Sequence, residues 1–176
     1  AGPRIPAAKP HILAEGDAVM CKQGWKNIAF WIIVTEAVGA FSGWLSRGGA
    51  QLYAERINKP PFSPPGIVFP IAWAILYALM GYGASVIDRS PESRARTKAL
   101  TIYLVQLGFN FFWSLIFFNG QWYGFAFFWL AALWVMVFVM IRRFRAVDVW
   151  AARLQWPYLA WLTFAAYLNL GVWILN

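Results

Sequence analysis

Of 176 residues, 61% are hydrophobic, 19% aromatic and only 12% charged, whereas charged residues make up about a quarter of a soluble domain. A water-soluble fold is therefore not expected. The net charge of +8 would suit nucleic acid, but the basic residues sort by loop instead of forming a patch, so no nucleic-acid partner is expected. A single cysteine, Cys21, excludes an intrachain disulfide and a multi-cysteine metal site.

Residues 1–24 mix Pro, Gly, Ala and scattered charges without an apolar run long enough for a signal-peptide core. They read as a flexible tail or an appended remnant, and the only histidine, His11, sits there. Residues 25–176 read as one membrane domain. Five segments approach the roughly 20 apolar residues that a spanning helix needs: Ile28–Leu45, Ile67–Ile87, Ala99–Phe118, Tyr123–Ile141 and Leu154–Ile174. They are continuously apolar and not alternating, which predicts helices and not a barrel. The fold class is thus an all-α integral membrane protein, a bundle of five transmembrane helices in the lipid bilayer. By alternation, Lys22, Lys26, Arg89, Arg94, Arg96, Lys98, Arg142, Arg143, Arg145 and Arg153 share the side of the N-terminus, against Arg47, Arg56 and Lys59 opposite. The positive-inside rule then predicts a cytoplasmic N-terminus and a C-terminus outside.

In the first span, Glu36 is a carboxyl near bilayer depth, costly unless it is paired or faces the bundle interior. Gly39 and Gly43 form a small-xxx-small step that admits a neighbouring helix. Lys59-Pro60-Pro61-Phe62-Ser63-Pro64-Pro65-Gly66 follows. Its prolines remove backbone donors and fix φ, so this stretch is a rigid loop, with the second helix predicted to start near Pro65. Along that helix Phe69, Trp73, Tyr77 and Met80 recur on one face.

In the third span Tyr103, Gln106, Asn110, Trp113 and Phe117 share a side. Unpaired in lipid, each amide would cost several kcal/mol, so Gln106 and Asn110 must point at other helices or at a ligand. After a tight turn at Asn119-Gly120-Gln121, the fourth span ends abruptly at Arg142-Arg143-Phe144-Arg145. The fifth opens through Trp156-Pro157-Tyr158 and carries Trp161, Ala165 and Leu168 on one face, with Asn169 beside it. Of the 12 tryptophans, those near span ends suit an aromatic belt at the headgroups. Trp73, Trp113, Trp129, Trp134 and Trp161 lie deeper, where a buried indole N–H needs an acceptor.

Three motifs resemble the translocator protein (TspO/MBR) family, also called tryptophan-rich sensory proteins or peripheral-type benzodiazepine receptors. They are Lys59-Pro60 through Ser63-Pro64-Pro65-Gly66 with Phe69, Trp73, Leu76-Tyr77 and Met80-Gly81; Gln106-Leu107 with Asn110 and Trp113; and Pro157-Tyr158 with Trp161, Phe164-Ala165 and Leu168-Asn169. The resemblance covers nearly all of residues 28–176. It implies a five-helix bundle, usually a homodimer, with a cavity covered by the loop after the first span. It also implies tetrapyrrole ligands such as protoporphyrin and haem, or other hydrophobic small molecules, with no obligatory cofactor and no metal site. Ligand-binding positions carried over by motif are Pro64, Phe69, Trp73, Tyr77, Asn110, Trp113, Trp161, Ala165 and Leu168, to which Gln106 and Tyr158 are added as polar partners. Two departures stand out. Tyr167 is followed by no Lys or Arg, so the weak sterol-recognition pattern is absent. Where many members carry a tyrosine before the Lys-Pro, this chain has Ala54, unless Tyr53 takes its place.

Three functions compete. In the first, a sensory or translocator protein binds a tetrapyrrole between aromatic faces. With no histidine in the bundle, histidine-ligated haem iron is not expected. In the second, Trp73 and Trp161 are catalytic and degrade porphyrin in light, as has been proposed for some bacterial members; no conventional acid–base or metal constellation accompanies them. In the third, the protein transports porphyrin, with Glu36 as the sole candidate for proton coupling, although no internal repeat of the transporter type occurs.

Overall fold

Apolar segments without water to satisfy their amides fold as helices, each closing its own backbone hydrogen bonds. The computed structural model describes the backbone from Pro10 onward and the side chains from Gly24 onward. His11 and Cys21 lie outside the described side chains. In chain order the helices are α1 (Pro10–Arg56), α2 (Val68–Asp88), α3 (Arg94–Ser114), α4 (Tyr123–Arg145), a short α5 (Val149–Arg153) and α6 (Trp156–Leu175). A π turn, Leu115–Asn119, prolongs α3. Five of these stretches are long and apolar enough to cross a membrane: Gly24–Arg56, Val68–Asp88, Arg94–Asn119, Tyr123–Arg145 and Val149–Leu175. The protein is an integral, multi-pass, all-α bundle.

Helix α4 turns one face inward and leaves Phe125, Phe128 and Val135 exposed on the other. Its Ala126, Leu130, Leu133, Val137, Met140 and Phe144 are fully buried where it packs on α3 and α6. Helix α1 lies on the outside, against α2 and α3, and leaves Phe30, Ile33, Phe41 and Trp44 exposed. Such residues are at home in lipid. Near the α2–α3 connection a polar knot ties three helices. Asp88 Oδ2 accepts from Asn27 Nδ2 at 2.7 Å and from Trp31 Nε1 at 3.0 Å, and Asp88 Oδ1 accepts from Arg96 Nη2 at 2.8 Å. Ser93 caps α3 by accepting from the Arg96 amide at 3.1 Å.

Helix bounds differ from the sequence expectation at several ends, α3 for one starting at Arg94 and not at Ala99. Helix α1 runs on past Leu45 to Arg56, straight through Gly48-Gly49. The second of these glycines serves close approach: a Cβ on Gly49 would collide with the Phe118 carbonyl. The amide Asn119 Nδ2 also donates to Leu45 O at 3.0 Å, fastening α1 to the π turn. Helix α2 begins at Val68, about a turn after Pro65, whose carbonyl receives the Val68 amide at 2.9 Å. Asp148 caps the unexpected α5 by accepting from the Ala151 amide at 2.7 Å.

Candidate functional site

Between α1, α2, α6, the end of α3 and the proline loop lies a cavity of about 550 Å³. Each wall follows from a helical period. Helix α1 offers Glu36, Gly39, Ala40, Gly43, Ser46, Ala50, Tyr53 and Ala54, one stripe at spacings of three and four. The stripe is mostly small residues, so the wall is smooth. Opposite it, α2 presents Phe69, Trp73 and Tyr77, while Trp161, Ala165 and Leu168 come from α6. Trp113 closes one end with Phe117 and Phe118 of the π turn, and Lys59 and Pro64 of the loop form the cover. A π turn is frequent at functional sites; here the Gly120 amide bonds back five residues to Leu115 O at 2.9 Å, and both neighbouring phenylalanines reach the cavity. Ala40, Gly43, Pro70 and Ala74 line the cavity and are exposed, which marks an opening between α1 and α2.

The aromatic wall is built of paired rings. Trp73 stacks on Tyr77 with centroids 5.3 Å apart and 26° between planes. Trp161 meets Trp73 edge-on at 6.3 Å and 82°, and meets Phe69 at 6.1 Å and 72°. Trp113 stacks on Phe117 at 5.3 Å. Such pairs add about 0.5–1.5 kcal/mol each beyond area burial and fix the rings in place. Neither Trp73 nor Trp161 has an indole hydrogen bond among the described residues, whereas Trp113 Nε1 donates to Asn169 Oδ1 at 3.4 Å.

Of the positions expected from sequence, the structure gathers Pro64, Phe69, Trp73, Tyr77, Trp113, Trp161, Ala165 and Leu168 around the cavity. Gln106, Asn110 and Tyr158 stand behind it as a buried relay. Tyr77 Oη donates to Asn110 Oδ1 at 2.6 Å, Asn110 Nδ2 donates to Tyr158 Oη at 2.8 Å, and Tyr158 Oη donates to Gln106 Oε1 at 3.0 Å. All three residues are almost wholly buried. The relay ties α2, α3 and α6 together and holds Tyr77 against Trp73. Gln106 Nε2 has no partner.

Several wall residues lie outside the ligand-binding set expected from the sequence. Tyr53 is one: its ring packs on Phe117 at 5.5 Å and on Phe118 at 5.6 Å, with Lys59 Nζ 5.5 Å from its centroid. Tyr53 therefore supplies an aromatic group beside Ala54. The spacing of Tyr53 from Gly39 and Gly43 was the available signal, hidden by the glycines between them. Phe164 and Asn169 also line the cavity. The cover is fastened to α6, since Tyr167 Oη donates to Pro61 O at 2.8 Å, and Asn58 and Asn176 exchange two hydrogen bonds of 3.0 Å. At its tip Phe62 adopts a positive φ of 63° and points away, 89% exposed.

A profile of the TspO/MBR family matches residues 31–174, which takes in every residue named above as lining the cavity. The chain belongs to the TspO/MBR family. Among its relatives, the translocator protein of Ovis aries is 36% identical over 139 residues, 77% of this chain and 82% of that protein. The tryptophan-rich sensory protein of Cereibacter sphaeroides is 36% identical over 122 residues, 69% of this chain and 75% of that one. The translocator protein of Homo sapiens is 32% identical over 149 residues, 82% and 88% of the two chains. As a TspO/MBR member the chain shares family sequence across α2, α3 and α6, the helices that carry the tryptophan wall.

Proposed function

We propose that this protein binds tetrapyrroles such as protoporphyrin or haem, and other hydrophobic small molecules, in the aromatic cavity, and that it serves in sensing or translocation across its membrane. One observation carries the reading: Trp73 and Trp161 stand at 82° to each other within a cavity of about 550 Å³. One indole offers a face to a flat macrocycle while the other offers an edge, an arrangement aromatic rings favour. Lys59 at the cover suits the carboxylates of such a ligand, and the prolines lower the entropy cost of ordering that cover. Relatives named translocator and tryptophan-rich sensory proteins support the role. The homodimer and a cytoplasmic N-terminus belong to the same proposal, supported by the apolar outer face of α1 and by the basic α2–α3 and α4–α6 connections. Tryptophan quenching by protoporphyrin should weaken about tenfold or more when Trp73 and Trp161 are both replaced by Phe. Unchanged affinity would sink the reading.

A second reading, light-driven porphyrin degradation, is favoured by the edge contact of the same two indoles. It expects a bilin-like absorption band on illumination in air that a Trp73→Phe variant does not produce. If the native chain forms no such band, binding alone remains.

A further inference from the structure

Among the described residues the cavity has one acidic group, and nothing in the aromatic wall explains it. Glu36 lines the cavity from α1 and has neither an ion pair nor a hydrogen bond among the described residues. It lies five residues beyond Trp31, whose indole belongs to the Asp88 knot. At the helical rise, that is roughly 7.5 Å further in from this polar layer. A carboxyl at such depth is costly without a partner. Lys59 does not supply one. Its Nζ is held 2.8 Å from Ala54 O, and Ala54 is eighteen residues along α1 from Glu36, roughly 27 Å. The nearest small wall residues, Gly39 and Ala40, offer no polar side chain.

A second group points the same way. Ser46 is 2% exposed, lines the cavity, and its Oγ has no hydrogen-bond partner. By contrast, the other buried hydroxyls of α1 are satisfied: Thr35 Oγ1 donates to Trp31 O at 2.7 Å and Ser42 Oγ donates to Phe111 O at 2.9 Å. A buried hydroxyl without a partner costs about 1–3 kcal/mol. Glu36 and Ser46 sit on the same α1 face, roughly 15 Å apart. Thr35 and Ser42 are thus used by protein, while Glu36 and Ser46 face the space.

We propose that Glu36 is a recognition group of this cavity, whose carboxylate takes the protonated amine or N–H donor of an otherwise apolar ligand, with Ser46 as a second hydrogen-bonding point. The proposal rests on the reading of the cavity as a site for hydrophobic ligands and adds polarity to it. The acid marks the inner end and Lys59 the covered end, so a bound molecule is oriented with its basic or donor end inward and any anionic end outward.

The test uses the full chain in nanodiscs of zwitterionic lipid, with empty nanodiscs subtracted. The probes are a radiolabelled long-chain primary alkylamine and the primary alcohol of equal chain length, which differ only in the charged head. The native chain should bind the amine about tenfold or more tightly than the alcohol, the range of a charged hydrogen bond. Glu36→Gln should abolish that preference, Glu36→Asp should keep part of it, and Ser46→Ala should weaken the amine a few-fold. Equal affinities in the native chain overturn the proposal whether or not the Glu36→Gln variant folds. A preference that survives Glu36→Gln overturns it as well. The outcome is separable from the tetrapyrrole reading, which is decided by protoporphyrin and the Trp73 and Trp161 variants with no amine present.

Discussion

Replacing Gly39 by Ala and, separately, Gly43 by Ala makes the same chemical change one helical turn apart on the same cavity stripe, yet the two should differ in stability. Alanine gains about 1 kcal/mol of helix propensity over glycine at either site, so that contribution cancels. A Cβ at Gly39 would overlap the Tyr77 ring, whereas a Cβ at Gly43 meets nothing within 4 Å. Tyr77 has little freedom to retreat. Its face is stacked on Trp73 at 5.3 Å, and its hydroxyl is bonded to Asn110 at 2.6 Å. Forcing the ring aside costs about 1–3 kcal/mol as overpacking, and loss of the Asn110 bond adds about 1 kcal/mol. Gly39→Ala should therefore unfold about 2–4 kcal/mol more easily than Gly43→Ala, which should match or exceed the native chain. Equilibrium unfolding by titration of denaturing detergent into mixed micelles, followed by helical circular dichroism, measures the difference. Two variants of equal stability would refute the claim that α1 and α2 touch at Tyr77 and part beyond it.

Two further substitutions probe the ends of the bundle. Asp88→Asn removes the charge that accepts from Asn27, Trp31 and Arg96 and should cost about 2 kcal/mol in the same titration; an unmoved midpoint would show that the knot is not what joins α1 to α3. Tyr167→Phe deletes the 2.8 Å bond to Pro61 O and with it about 0.5–1 kcal/mol, so protoporphyrin should leave about two to five times faster in stopped-flow quenching. A dissociation rate equal to the native one would mean that the cover is held elsewhere.

Much of the bundle was readable because lipid permits few solutions. Continuous apolar stretches in water-free surroundings have to be helices, and the period of Phe69, Trp73 and Tyr77 on α2 already placed three aromatic groups on one face. What escaped was decided by contacts across helices. The course of α1 past Leu45 through Gly48-Gly49 is explained only by Gly49 lying against the Phe118 carbonyl, where a missing Cβ lets the π turn approach. The π turn itself has no sequence mark, since Leu115–Asn119 is ordinary helical composition. Tyr53 faces the cavity only because α1 continues unbroken through those glycines.

The polar groups show where reading from sequence reaches its limit. A glutamine, an asparagine or a glutamate inside a membrane helix declares that it needs a partner, but not whether that partner is a helix or a ligand. For Asn110 both its oxygen and its nitrogen are taken by tyrosines from α2 and α6, so it shapes the cavity from behind by holding Tyr77 against Trp73. Glu36 carries a stronger demand and lies beside the empty volume, with no such partners in the described bundle. The same physical requirement thus yields two roles, and the division follows from whether the side chain is turned to a neighbouring helix or to the cavity. A polar group turned to a neighbouring helix is satisfied by it, whereas one turned to the cavity is left to whatever enters.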